Sequence, residues 1–120
     1  MPYINSTEFG SITIDNKEYG QVLIIGNSII ERDHSKLNKL FSTSHKIGRW
    51  EVEKLLEGNP DFILIGTGQS GVMKVDKEVL NKLNKSGAKI IVDITPKIVE
   101  DYNQKTKEGK RVNALIHTTC

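Results

Sequence analysis

Residues 66–71 read Gly66-Thr67-Gly68-Gln69-Ser70-Gly71, a G-x-G-x-x-G pattern directly after an apolar run. Glycines let a backbone approach a phosphate closely, and a helix that starts within them adds oriented N–H groups. Asp93, at the end of the next apolar run, stands where a ribose-binding acid would be sought. A dinucleotide site needs the helix to begin inside the motif. Here Val72-Met73-Lys74-Val75 intervene before Asp76, which reads as the helix cap, and no second nucleotide-binding half follows. The sequence therefore favours a structural glycine turn. A small-anion site at Gly66, Thr67, Gly68, Gln69 and Ser70, with two hydroxyls as extra donors, is the second reading. A dinucleotide site is the third.

His117 and Cys120 suggest a base and a nucleophile, because a nearby imidazole favours the thiolate. In an extended segment, residues three apart point to opposite faces, so a tight bend after Ile116 would be required. Without a resolving cysteine, the plainer expectation is a terminal tail with an ordinary or packed thiol. Cys120 is kept as a candidate reactive thiol. His34, His45 and His117 lack metal-ligand spacing and have no carboxylate cluster beside them, so no metal is expected. Asp61, Asp76 and Asp93 fall at element ends, where carboxylates cap helices and turns. Lys105, Lys107, Lys110 and Arg111 crowd the end of the last helix, where its dipole favours cations. Trp50 reads as a core-edge residue, with a partner surface as the alternative.

These groups sit in 120 residues with a formal charge of +2 and a single cysteine. That length suits one domain, taken as 1–120. The lone cysteine excludes an internal disulfide and a cysteine-rich zinc cage. The weak charge and scarce aromatics argue against nucleic acid. No apolar run approaches a bilayer span, and the start has neither a signal-peptide nor a transit-peptide pattern. A soluble cytoplasmic protein without a membrane partner is the expectation, and nothing calls for a cofactor.

The elements that must position the candidate residues follow from patterning. Phe9–Ile14 alternates as a strand, Asp15-Asn16-Lys17 turns, and Val22–Ile25 is an unbroken β-rich run of the kind covered on both faces. Ser28–Arg32 reads as a further short strand. This third of the chain is a hairpin or small meander. Residues 33–48 read as a loop with at most one helical turn. Arg49–Glu57 is amphipathic, with Val52, Leu55 and Leu56 inward, and Gly58-Asn59-Pro60 stops it.

Phe62–Ile65 is a strand, Lys77–Lys85 a helix with Val79, Leu80 and Leu83 inward, and Lys89–Ile94 a strand. Thr95-Pro96 gives a cap and then proline for a helix to about Glu108, with Ile98, Val99 and Tyr102 inward. Val112–Ile116 is the last strand. Alternating strands and helices imply a largely parallel sheet. Phe62–Ile65, Ile90–Val92 and Val112–Ile116 should be buried neighbours in it.

Three stretches carry a family resemblance: residues 9–14, Leu64 to Gln69, and Tyr102-Asn103 through Glu108-Gly109 to Ala114-Leu115-Ile116-His117-Thr118-Thr119-Cys120. In order and spacing they resemble the small domain shared by the animal adipogenesis-associated protein and the mitochondrial complex I assembly factor. That family also has archaeal and bacterial members of unassigned function. The resemblance implies a three-layer (β+α/β/α) α/β sandwich around a mixed sheet and implies no known reaction. Assembly roles of its eukaryotic members extend to this chain only by analogy. Two functions stand: a non-enzymatic binding or assembly module with a protein partner, as a monomer or small homo-oligomer, or an enzyme or sensor taking a small anion or nucleotide-like ligand at Gly66–Gly71.

Overall fold

The computed structural model describes residues 1–41 and 46–119. Among the described residues, eight strands and four helices follow in order: β1 (Ile4–Glu8), β2 (Ser11–Ile14), β3 (Lys17–Tyr19), β4 (Val22–Ile25), β5 (Ser28–Glu31), α1 (His34–Phe41), α2 (Arg49–Leu55), β6 (Phe62–Thr67), α3 (Lys77–Asn84), β7 (Lys89–Asp93), α4 (Thr95–Lys107) and β8 (Val112–His117). Strands β1-β2-β3 form an antiparallel meander, and a five-stranded sheet has the order β5-β4-β8-β6-β7. Within it β6 is parallel to β7 and β8, while β4 runs antiparallel to β5 and β8. The sheet is mixed, as the resemblance implies, rather than largely parallel, because the β4–β5 hairpin joins β8 antiparallel. The N-terminal strands divide their work: β4–β5 extends the sheet, and the meander covers one face.

Periodicity two sorts the central strands into two cores. On one face, Ile24, Leu64, Ala114 and Ile116 pack with Ile4, Ile12 and Ile14 of the meander and with Ile98 and Tyr102 of α4. On the other, Leu23, Ile63, Ile65 and Leu115 pack with Val52 and Leu55 of α2 and Leu83 of α3. That is the three-layer architecture. β8 is buried at every residue because it is central and covered on both sides.

Side-chain amides fasten the layers. Asn103 donates to Ile4 O (2.8 Å) and accepts from Ile4 N (3.0 Å), joining α4 to β1. Asn113 donates to Leu55 O and Glu57 O and accepts from Gly26 N, joining β8 to the end of α2 and the β4–β5 turn. The Tyr102 hydroxyl is buried without a hydrogen-bond partner among the described residues. Burial first, and the negative charge of Asp15 second, hold this phenol well above its ordinary ionisation range.

Several expectations are corrected. Residues 34–41 form two turns of helix rather than a loop; the Asp33 carboxylate accepts from Lys36 N at 2.9 Å, and Leu37 is buried. β1 and β3 are additional strands, polar because the meander faces solvent on one side. β6 continues through Gly66 and Thr67, two residues beyond the Phe62–Ile65 apolar run, so the glycine turn begins later than the sequence pattern implies. Helix α4 begins at Thr95 with Ile94 as its cap, since the Thr95 hydroxyl turns toward the sheet. Asp76 holds the cap position of α3, but its carboxylate makes no cap bond. β7 neighbours β6 as expected but is only half-buried, with Val92 exposed, because it is the sheet's edge. His45 and Cys120 lie outside the described residues.

Candidate functional site

The carboxyl ends of β6 and β8 lie side by side, with Thr67 opposite His117. In open α/β sheets this end, outside the strand termini, is where ligands are usually taken. It gathers the glycine corner, the start of α4, the residues after β8 and the segment before β4.

The corner is built by close approach. A Cβ at Gly66 would fall 2.8 Å from Thr95 Oγ1 and 3.3 Å from Thr95 Cα, so α4 can dock only on a residue without a side chain. Gly68 and Gly71 have φ of +110° and +76°, values that side-chain-bearing residues rarely adopt. Thr95 Oγ1 accepts from Gly68 N (3.0 Å) and donates to His117 O. Thr67 Oγ1 donates to Asp93 O (3.0 Å). Gly68 O accepts from Thr95 N (2.9 Å) and Gly71 N (3.3 Å), and Thr67 O accepts from Met73 N (3.0 Å). The Gln69 amide nitrogen lies within bonding distance of Thr7 Oγ1 (3.1 Å), Glu8 O (3.0 Å) and Thr118 O (3.1 Å). Ser70 is exposed. The corner thus clasps α4, the meander and the C-terminal segment to the sheet. The Gly68 and Gly71 N–H groups point to internal acceptors.

Next to the corner lies a buried polar chain that the sequence did not reveal. Arg32 and Glu51 are almost fully enclosed. The guanidinium grips the carboxylate with two bonds, Nε to Oε2 (2.7 Å) and Nη2 to Oε1 (2.8 Å). It also donates to Lys46 O and, at 2.8 Å, to Gln21 Oε1. Glu51 Oε1 accepts from Gly48 N (3.0 Å), so the same carboxylate closes the first turn of α2. His117 Nδ1 lies 2.7 Å from Gln21 Oε1, and Thr119 Oγ1 lies 3.1 Å from Nε2. An atom that accepts from arginine is an oxygen, so Nδ1 carries the proton and, in the neutral ring, Nε2 accepts from Thr119.

Oppositely charged partners held bidentately and cut off from water are costly to separate, which fits a structural anchor. Gln21, Arg32, Glu51 and His117 reach one another across up to 96 residues of chain. Their one sequence signal is a polar residue abutting an apolar run, as Gln21 abuts Val22–Ile25 and Arg32 follows Ile29-Ile30-Glu31.

The remaining candidates are dispersed. His34 is exposed at the start of α1. Asp61 accepts from Arg111 N (2.8 Å), and Asp93 Oδ1 accepts from Ile94 N (2.7 Å). Lys105 lies over the Phe62 ring, and half-buried Trp50 has Lys36 above its ring at 4.3 Å. Among the described residues no three His, Cys, Asp or Glu side chains converge in a metal-binding group. Clefts of about 230 and 320 Å³ lie elsewhere, one beside Gly26, Pro60 and Asn113, the other between Ile47, Val52 and Val79.

The family model described as "Protein of unknown function (DUF498/DUF598)" matches residues 4–117, which includes the corner, the buried chain through His117 and both cores. The chain belongs to the DUF498/DUF598 family. A solved member-like structure described as MT938 is 30% identical, covers all of both chains and has a TM-score of 0.79. The conserved hypothetical protein PH1505 from Pyrococcus horikoshii OT3 is 29% identical over 98% of each chain, with a TM-score of 0.82. A protein of Francisella tularensis subsp. holarctica (strain LVS) called "13 kDa major membrane protein" is 24% identical over 89% of this chain and 83% of its own length. In the present DUF498/DUF598 chain, no helix among the described residues is long and apolar enough to cross a membrane.

Proposed function

We propose that this chain is a non-enzymatic binding or assembly module that docks a polypeptide at the carboxyl end of its sheet. One observation carries the reading. The corner's polar groups are turned inward, while Phe9, Val72 and Ile94 stand around it exposed to solvent. Phe9 sits between Glu8 and Gly10, which bond to Gln69 and Thr118; Val72 follows Gly71; and Ile94 packs against Gly71. Exposed apolar side chains gathered around a rigid, polar-satisfied centre suit protein docking better than anion capture, which needs free donors. The resemblance to a domain that includes a mitochondrial complex I assembly factor points the same way. The lone cysteine supports a cytoplasmic setting.

The second reading, a small anion or nucleotide-like ligand at Gly66, Thr67, Gly68, Gln69 and Ser70, rests on the motif and on exposed Ser70. Photo-cross-linking in cells separates the two. Benzoyl-phenylalanine in place of Phe9 or Val72 should give one discrete polypeptide adduct, absent when the probe replaces exposed Lys107. No adduct, or the same adducts from all three positions, overturns the docking reading.

A further inference from the structure

Four strand edges are open to solvent or loops, and three carry devices that discourage pairing. β1 is polar and irregular in register between Ile4 and Ser6. β3 is only three residues long. β5 is four residues long and ends in Glu31 with no cation at its other end. β7 differs. It ends the five-stranded sheet, keeps unbroken register with β6 from Lys89 to Asp93, and has no proline or bulge. Such an edge templates another strand unless something prevents it.

The phase of its hydrogen bonds is fixed. Lys89 N donates to Asp61 O, the residue before β6, and the Thr67 side-chain hydroxyl of β6 reaches Asp93 O from the same side. In a parallel ladder alternate residues turn their backbone groups to the same side. Lys89, Ile91 and Asp93 therefore bond inward, and the N–H and C=O groups of Ile90 and Val92 face outward. The strand reads Lys89-Ile90-Ile91-Val92-Asp93, a cation at one end, an anion at the other and three β-branched residues between. Among the described residues neither end charge makes an ion pair.

We propose that β7 pairs antiparallel with β7 of a second copy across a two-fold axis at Ile91, joining two sheets into one. In that register Ile90 faces the partner's Val92, and both sets of outward groups bond reciprocally. Lys89 faces the partner's Asp93 twice, once on each side of the axis. The pairing is self-complementary, as an isologous interface requires. The side chains of Lys89 and Asp93 meet at non-hydrogen-bonded positions, where cross-strand side chains come closest. It also covers Val92, which is 40% exposed. No shift of register by one residue keeps both the outward bonds and the charge match. The edge ends beside Ile94 of the docking rim but does not include Phe9 or Val72, and the proposal does not rest on that reading.

Sedimentation of the full chain over rising concentration, with hydrogen exchange at Val92, tests it. The wild type should shift from monomer to dimer, with the Val92 amide gaining protection as it does. Val92→Pro removes an outward N–H and no internal bond, and should be monomeric. Lys89→Glu should also be monomeric, as should Asp93→Lys. Mixing those two charge variants should restore a dimer, because each mixed contact again joins opposite charges. A wild type that stays monomeric, with Val92 exchanging freely, overturns the proposal, including the case in which β7 pairs only with a foreign strand. A dimer that survives Lys89→Glu unchanged, or charge variants that do not reassociate, overturns it too.

Discussion

Removing one partner of the Arg32–Glu51 pair should be among the most damaging single changes in the chain. Glu51→Ala deletes both oxygens that the guanidinium grips and the acceptor for Gly48 N, and leaves Arg32 enclosed with its charge. Breaking a buried ion pair from one side costs about 3–5 kcal/mol. Losing the bond that closes the first turn of α2 adds roughly 1 kcal/mol. For a chain of this size that lowers Tm by on the order of 15–25 °C. Arg32→Met should cost a comparable amount by stranding the carboxylate.

The double variant Arg32→Met with Glu51→Ala removes both charges together, so it should be far less damaging than the sum of the singles. The coupling should exceed about 2 kcal/mol. Equilibrium denaturation in urea, with the four proteins compared at equal m-value, reads all of this. A cost below about 1 kcal/mol for Glu51→Ala would match an exposed pair and refute the enclosed-anchor argument.

Two further outcomes follow from the core and the corner. Tyr102→Phe removes a buried hydroxyl with no partner and should leave stability unchanged or raise it by up to about 1 kcal/mol. The folded state holds the Tyr102 proton more tightly than the unfolded chain does, so stability should fall as pH rises above about 10, and Tyr102→Phe should remove that part of the loss in alkaline denaturation. Gly66→Ala forces Thr95 away from the sheet, breaking its bonds to Gly68 and His117, and should cost about 1–3 kcal/mol by thermal unfolding; a neutral change would refute the close-approach reading.

How much of this was legible depends on distance along the chain. β4, β6 and β8 are apolar runs because both of their faces are covered, so composition announces them. α2, α3 and α4 carry their stops as glycines and their faces as leucines, valines and Ile98. α1 escaped because only Leu37 is buried and Leu40 faces water, which blurs the helical period even though Asp33 supplies a cap. β1 escaped because one residue of five is buried. At the corner the glycines were visible, but their reason was not, since Thr95 lies almost thirty residues on. Thr95 looked like a cap because threonine before proline usually is one; its hydroxyl serves Gly68 and His117 instead. The Gln21–Arg32–Glu51–His117 chain is assembled by the sheet order itself, which local patterning does not encode.

If the proposed docking module uses its glycine corner as a clasp, that corner takes no small ligand. Amide chemical shifts of Gly66–Gly71, followed while phosphate, nucleotides and simple carboxylates are titrated into the full chain, test this most directly. In a clasp these amides stay where they are as each ligand is raised to excess. Saturable movement centred on Gly68, Gln69 and Ser70 with any one of them would contradict it.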